Sequence, residues 1–548
     1  MPNALKARVA IALAVVVTLS SSLAACSSRG GSDTPPSSAA DNVLTVAVGV
    51  VPDTWDPHVS PADVVGGLLR PVFDSLVAQR PDGTLVPWLA KSWTVSEDGL
   101  AYTFELRRDV TFSDGTRFDA AAVKANLDHV VAPETASKLA ASLIGPYDRT
   151  ETPDDFTAVI HLKKPYSSLL RALSTTYLGM QSPVSLRDHA DDLTSGEHAV
   201  GTGPFRLTSV TPGQRAVLEK RPDYAWAPSS AAHQGPARLD KIVIQFLPES
   251  AARVGAVTSG QADLAQQVPA TRLAELRETD GVEVVSTGVP GAPYSYYLNS
   301  ARPPLDNADV RRAIRYAIDF DGLVNGVFRG EYERTWSPLG PASVAYDPAT
   351  ERSWGYDKAK ADALLDKLGY TERDDEGYRT RDGKRLTLEM PYVQSFVTPE
   401  HHALDVGVQD ALKQIGVELR LLPMDSAASQ GRTRGGDYDV FAFSWGSTDP
   451  SLLYNLFHSS KQFADGGANA ARTHDAELDR LLDAARVDTS DEQGAEQYRK
   501  VQHRVIDQAY SLPVYAPQRD TLIRSTVSNL VFDAQGWPDF HSAQVVRR

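Results

Sequence analysis

Trp445-Gly446-Ser447-Thr448-Asp449-Pro450 is the stretch of this 548-residue chain whose residue types best suit recognition chemistry. Asp439–Trp445 (DVFAFSW) reads as an apolar strand, and the polar Gly-Ser-Thr-Asp-Pro run opens the chain at its carboxyl end. In open α/β sheets, ligands bind just outside the carboxyl ends of strands. An indole placed there stacks on a ligand, and the carboxylate of Asp449 pairs with a cationic group. A core tryptophan and a helix-capping aspartate fit the same residues, and the sequence leaves the two readings level. His458 follows the apolar Leu453–Phe457 segment and lies nine residues after Asp449. It suits contact with a ligand or metal, or a structural histidine.

Catalytic signatures are missing. The chain has no H-E-x-x-H, G-x-S-x-G, G-x-x-x-x-G-K or G-x-G-x-x-G. Gly201-Thr202-Gly203 looks like a phosphate loop, but Pro204 and a strand (Phe205–Val210) follow where a phosphate cradle needs a helix N-terminus. His401-His402 are adjacent, so on a helix they point about 100° apart and do not share an ion. They read as the solvated first turn after Pro399. Asp374-Asp375-Glu376-Gly377 lacks the distal glutamate of a calcium loop and sits in a hairpin context. No catalytic residue, metal or cofactor is expected, which argues against a secreted peptide hydrolase.

The elements that must position these residues alternate between strand and helix, without an internal repeat. Leu44–Val48, Tyr102–Arg107, Phe156–Leu162, Lys241–Leu247 and Val282–Thr287 carry strand patterns. Asp-Gly pairs at 82–83, 98–99, 114–115 and 382–383 mark tight turns. Beyond residue 300 the helical period dominates. Val310, Ala313, Ile314, Ala317 and Ile318 form one stripe, with Asp306 or Asn307 as cap. Helices are also expected after Asp357, along Leu404–Ile415, along Leu478–Ala485 and along Tyr498–Ile506. Strand–helix–strand order of this kind predicts α/β lobes with covered sheets.

Composition sets the class. The chain is 42% hydrophobic and 23% charged, with mean hydropathy −0.28, as in globular proteins. A formal charge of −15 disfavours nucleic acid as a partner. The single cysteine, Cys26, excludes a disulfide framework and cysteine-based metal centres. Lys6 and Arg8 precede an apolar run, Val9–Leu19, whose helical length of about 16 Å is too short for a ~30 Å hydrocarbon core. Residues 1–25 therefore read as a secretory signal. Leu23-Ala24-Ala25-Cys26 looks like a bacterial lipobox, with Cys26 the diacylated first residue of the mature protein. Residues 26–42, rich in Ser, Gly and Pro, read as a flexible tether.

A series of short motifs then resembles one family. Pro81-Asp-Gly-Thr-Leu-Val-Pro87, Trp88-Leu-Ala-Lys-Ser-Trp93, Val110-Thr-Phe-Ser-Asp-Gly115, Val200-Gly-Thr-Gly-Pro-Phe205, Gly260-Gln-Ala-Asp263 and Tyr316-Ala-Ile-Asp319 occur in family order. The chain is similar to the extracytoplasmic solute-binding proteins of peptide and nickel ABC importers, the cluster C or family 5 class. The resemblance implies an α/β, periplasmic-binding-protein-like two-lobe fold with an extra subdomain. Residues 43–80, 200–290 and 515–548 would form lobe I, 81–199 the extra subdomain and 294–512 lobe II. Hinges would lie near Pro293–Asn299 and Leu512–Pro517.

The function implied is binding, not catalysis. A small peptide or peptide-like solute would be captured between the lobes and delivered to an ABC permease and its ATPase by a monomer, lipid-anchored outside the bacterial cell membrane. Peptide-binding members read W-x-x-D-x-x-D-P in the loop after this strand, and the first Asp pairs with the peptide amine. Here only Asp449 remains. Trp445-Gly446 and Trp88–Trp93 are closer to the nickel and metallophore branch, with His458 a counterpart of its cleft histidine. No arginine occupies Leu173–Ser182, where that branch has one. A nickel-chelate carrier is thus the alternative, and a sensor or adhesion lipoprotein on the same fold a further one. The implied site comprises Trp445 and Asp449, with Tyr177 and Met180 from the subdomain and Tyr294 and Tyr296 from the hinge as further walls.

Overall fold

The computed structural model of the protein describes residues 42–137, 139–487 and 491–546. The expected signal segment, Cys26 and all but the last residue of the tether lie outside the described residues. Among those described, no helix is long and apolar enough to cross a membrane.

A seven-stranded sheet is built from distant parts of the chain, in the order Val282–Gly288, Gln518–Arg524, Leu264–Ala265, Val43–Val48, Lys241–Phe246, Arg215–Lys220 and Phe205–Thr211. Val43–Val48, β-branched and buried along most of its length, runs parallel to Lys241–Phe246 and Leu264–Ala265. A strand with neighbours on both edges and cover on both faces needs such a continuous apolar run. Val46, Val48, Ile242, Ile244 and Phe246 join one core with Val64, Val65, Leu68 and Trp537.

Residues 81–199 hold a separate antiparallel sheet, ordered Ala90–Val95, Ala101–Leu106, Thr157–Leu162 and Tyr147–Asp154. The helix Ala120–Val131 belongs to the same region, with Asp119 accepting from the Ala122 amide at its N-terminus. Its Val123, Leu127 and Val130 share a core with Phe104, Phe112, Ile160 and Met180.

The helix-rich half follows. Asn307, not Asp306, caps Ala308–Ala317 by accepting from the Asp309 amide at 2.8 Å, and Asp357 caps Lys358–Lys367 in the same way. The stripes anticipated on Ala476–Val487 and Asp491–Gln508 are buried against each other and against Leu452–Phe457, except that Ile506 joins the core of Leu298, Val310 and Leu512. At 382–383 both residues of the Asp-Gly pair have positive φ, closing a hairpin between Arg381 and Lys384. At 82, 98 and 114 only the glycine does, while the aspartate accepts from the amide two residues on.

Gly291–Leu298 is the central strand of an antiparallel trio, with Val440–Gly446 on one edge and Ser511–Tyr515 on the other. All eight of its residues are buried. Gly201 and Gly203 serve packing, since a Cβ on either would stand within 2.4 Å of the backbone oxygens of Val72 or Pro71. No phosphate cradle is involved.

Candidate functional site

Trp445 and Gly446 end the Val440–Gly446 strand opposite Ala292 and Gly291. The two backbones approach so closely that a Cβ on Gly291 would sit 2.2 Å from the Trp445 carbonyl oxygen; Gly291 also has φ of 118°. Glycine is therefore dictated where this strand turns toward the loop. The Ser447 amide donates to the Pro290 carbonyl at 2.8 Å and holds the turn.

Across from Gly446 lie residues of the seven-stranded-sheet half. A Cβ on Gly446 would meet Asp63 Oδ2 at 3.2 Å and Arg519 Nη2 at 3.6 Å. Arg519 donates to Asp63 at 2.9 Å, and its guanidinium lies 3.7 Å from the centre of the Trp537 ring. Asp63 opens the helix Asp63–Leu69, whose Gly66 and Gly67 accept the rings of Tyr177 and Trp537 against the backbone. A glycine pair is otherwise unfavourable inside a helix. Here it lets two aromatic rings converge beside the ion pair.

Trp445, Tyr177 and Asp449 line one small cavity of about 60 Å³ with Tyr166 and Arg171. Trp445 is half-buried and Tyr177 is 7% exposed. Burial lifts the Tyr177 phenol well above its ordinary pKa, Asp63 adding to the effect and Arg519 opposing it. Asp449 Oδ1 accepts from the Ser451 amide at 2.8 Å, so the aspartate does order the turn before the Leu452–Phe457 helix. The same carboxylate is packed round by protein, and desolvation raises its pKa; Ser451, Ser168 and Arg171 pull it back. Capping the turn and bordering the cavity are thus compatible in one residue.

On the other side of the Asp63–Arg519 pair is a cavity of about 760 Å³. Its wall includes Arg253, Tyr332, His401, Tyr515 and Asp520. Arg253 is occupied structurally, donating to the carbonyls of Leu247, Pro248, Gln266 and Gln267. Tyr332 donates to Asp520 at 2.8 Å. The volume falls within the 300–1,000 Å³ range of small-molecule sites, whereas the Trp445 cavity holds a few waters at most.

His401 corrects the sequence reading. It is not a solvated first-turn residue: its ring stacks on Tyr294 with centroids 4.3 Å apart, and Nε2 meets the Tyr515 hydroxyl at 2.8 Å. Burial lowers its pKa. Tyr294 lines a further cavity of about 400 Å³ with His401, Asp405 and Phe443. His401, Asp63, Arg519 and Tyr515 are absent from the sequence-derived site. Only the paired glycines of the Asp63 helix hint at any of them.

Three expected residues sit elsewhere. Met180 is fully buried in the core of the 81–199 region and lines none of these cavities. Tyr296 is 1% exposed and donates its hydroxyl to Asp405 at 2.8 Å, a core contact behind Tyr294. His458 stacks on Tyr454 and pairs Nδ1 with Ser460 at 2.8 Å. Its Nε2 lies 3.9 and 3.6 Å from Asp479 and Asp483, on the Ala476–Val487 helix. It packs in the helix-rich half and does not line the Trp445 cavity.

The model for the bacterial extracellular solute-binding proteins, family 5 (middle) matches residues 84–465. The glutathione-binding protein GsiB of Escherichia coli O6:K15:H31 is 32% identical over 462 residues, covering 82% of this chain and 86% of that one. The probable D,D-dipeptide-binding periplasmic protein DdpA of E. coli K12 is 27% identical over 506 residues, 90% and 92% of the two chains. NikA of Brucella suis, solved with Fe(III)-EDTA, superposes with a TM-score of 0.80 at 25% identity over 92% of this chain and all of that one. DppA of Helicobacter pylori, solved with the peptide STSA, shares the fold with a TM-score of 0.75 at 23% identity, over 92% and 98%. With this α/β periplasmic-binding-protein architecture and a family match over most of its length, the chain belongs to the bacterial extracellular solute-binding proteins of family 5.

Proposed function

We propose that the protein captures a small peptide or peptide-like solute and hands it to the permease and ATPase of an ABC importer. The observation that carries this reading is the seam at Gly446. There the strand end bearing Trp445, the Asp63–Arg519 pair and Tyr177 converge from four separate parts of the chain beside a cavity of about 760 Å³. Residues 43–80, 200–290 and 515–548 act as one lobe, 294–512 as the other, and 81–199 as a subdomain supplying Tyr177. Closure by hinge motion around Gly291–Leu298 and Ser511–Tyr515 would bury the solute, and the permease would recognise the closed form. Asp449 lines the cavity of about 60 Å³ with Trp445 and Tyr177, not the one of about 760 Å³, so it takes the cationic end of the solute only as that small cavity opens. The GsiB and DdpA names, glutathione and D,D-dipeptide, favour a peptide-like ligand over a nickel chelate. His458, which a chelate would need, is engaged with Ser460 and Tyr454.

The protein acts without hydrolysing its ligand, as a monomer anchored through a diacylated Cys26. Cys26→Ala protein is expected in the culture medium, not in the membrane fraction; membrane-bound variant of unchanged mass would contradict the anchor. The ligand class is tested by thermal-shift screening of tag-free protein against di- to pentapeptides and Ni²⁺ or Zn²⁺ chelates. A ligand at a hundred times its Kd adds about 2.7 kcal/mol to folding stability. Peptides are expected to raise the melting temperature. A rise with chelates alone, removed by His458→Ala, would replace this reading with the metallophore one.

A further inference from the structure

Away from the seam, the loop after the Val43–Val48 strand brings Asp56 and His58 against His129 of the Ala120–Val131 helix. One ligand atom from each residue lies within 4.8 Å of the others. Asp56 is 2% and His58 1% exposed, while His129 keeps a partly open face.

Hydrogen-bond accounting leaves bare nitrogens pointing at a carboxylate. His58 Nε2 is 2.9 Å from the Gly179 carbonyl, which can only accept, so the ring hydrogen sits on Nε2. Nδ1 then presents a lone pair, has no hydrogen-bond partner among the described residues and lies 3.8 Å from Asp56 Oδ1. On His129, the Thr135 hydroxyl lies 2.6 Å from the His129 carbonyl, which takes its one hydrogen. The 3.1 Å contact between that hydroxyl and His129 Nδ1 then requires the hydrogen on Nδ1. In the neutral ring Nε2 is then left bare, 3.1 Å from Asp56 Oδ2. A proton on His129 Nε2 would satisfy that contact and leave His58 Nδ1 empty. A divalent cation satisfies both.

We propose that Asp56, His58 and His129 form a zinc site. Two imidazole nitrogens and one carboxylate, with a fourth position open on the His129 side, match the ligand set of a three-residue zinc centre. The outer contacts match as well. Ligating histidines donate their second ring N–H to a carbonyl or other acceptor, as His58 does to Gly179 and His129 to Thr135. Tetrahedral ligands at roughly 2.0–2.2 Å from zinc stand about 3.4 Å apart, so ligand atoms within 4.8 Å of one another need to close by at most about 1.4 Å. Zinc would fasten the 49–60 loop to the 81–199 region, and Gly179 follows Tyr177 by two residues.

The test uses the full mature chain, tag-free, stripped with chelator, given Zn²⁺ and dialysed. Wild type is expected to retain about one zinc per chain by elemental analysis, with a raised melting temperature in Zn²⁺. His129→Gln, whose partly open position spares the core, is expected to lower zinc affinity by at least about a hundredfold. His58→Gln is expected to do the same, with circular dichroism establishing that it folds. Wild type without zinc after dialysis would overturn the proposal. So would an unchanged equivalent of zinc in His129→Gln, since it would place the metal elsewhere, for example at the exposed Asp192, Glu197 and His198 group.

Discussion

Asp449→Ala protein is expected to bind a free-amine peptide at least about tenfold more weakly than wild type. A charge-assisted hydrogen bond in a desolvated site contributes roughly 1.5–3 kcal/mol, and 1.4 kcal/mol is a factor of about ten in Kd. The variant also loses the Ser451 amide contact, so Asp449→Asn is the cleaner partner: it keeps an acceptor for that amide and removes only the charge. Both variants should weaken the peptide, and neither should change its affinity after the peptide amine is acetylated. The pH dependence follows from burial. Because desolvation raises the Asp449 pKa, the ionised form needed for pairing is lost at a higher pH than for an exposed carboxylate, and affinity should fall as the solution is acidified toward that range. Calorimetric titration of wild type, Asp449→Asn and Asp449→Ala checks each part. Equal affinity in all three would remove Asp449 from the recognition chemistry.

The second large effect concerns stability. Asp405 is 1% exposed; its Oδ1 accepts from Tyr296, and Oδ2 has no partner among the described residues. Burial pushes its pKa from 3.8 to about 7, with the Tyr296 hydrogen bond pulling the other way. An unfolded chain releases this proton near 3.8 and the folded protein near 7. The stability held by the protonated acid is complete below pH 3.8, is lost as pH rises through about 7, and stays lost above it. A tenfold difference in proton affinity between folded and unfolded chain corresponds to about 1.36 kcal/mol, so Asp405→Asn should be more stable than wild type by roughly 2–4 kcal/mol at about pH 8 and nearly equal to it at about pH 4. Asparagine still accepts from Tyr296. Denaturant unfolding under the two conditions decides it, and a variant less stable than wild type on the alkaline side would mean that the carboxylate has a charged partner.

Local signals make much of this architecture legible in the sequence. The stripe of Val310, Ala313, Ile314 and Ala317 and its asparagine cap reappear in Ala308–Ala317, and DVFAFSW in the Val440–Gly446 strand with Trp445 at its end. Ala120–Val131 carries a signal of the same kind, with Val123, Leu127 and Val130 at helical spacing after an aspartate cap. The site is less legible because its parts meet only in the fold. Asp63 and Arg519 are separated by 456 positions, and nothing local announces their pairing. His401 looks solvated as a residue in the first turn of its helix; Tyr294 and Tyr515, on two strands of another sheet, enclose it. Tyr296 cannot be told from Tyr294 by alternation, because residues two apart in a strand share a face, and every residue of Gly291–Leu298 is buried. Which tyrosine borders a cavity depends on the neighbours stacked on each, and Asp405 claims the inner one.

By the function proposed above, this family 5 protein binds a peptide-like solute through its free amine at the Trp445–Asp449 loop. The most direct test is calorimetric titration of tag-free protein with the peptide that most raises the melting temperature, beside the same peptide N-acetylated. Saturable binding of one peptide per chain is expected, with a negative heat-capacity change from apolar burial and at least about tenfold weaker binding of the acetylated form. Equal binding of the two forms, or no heat with any peptide while a metal chelate titrates to saturation, would contradict it.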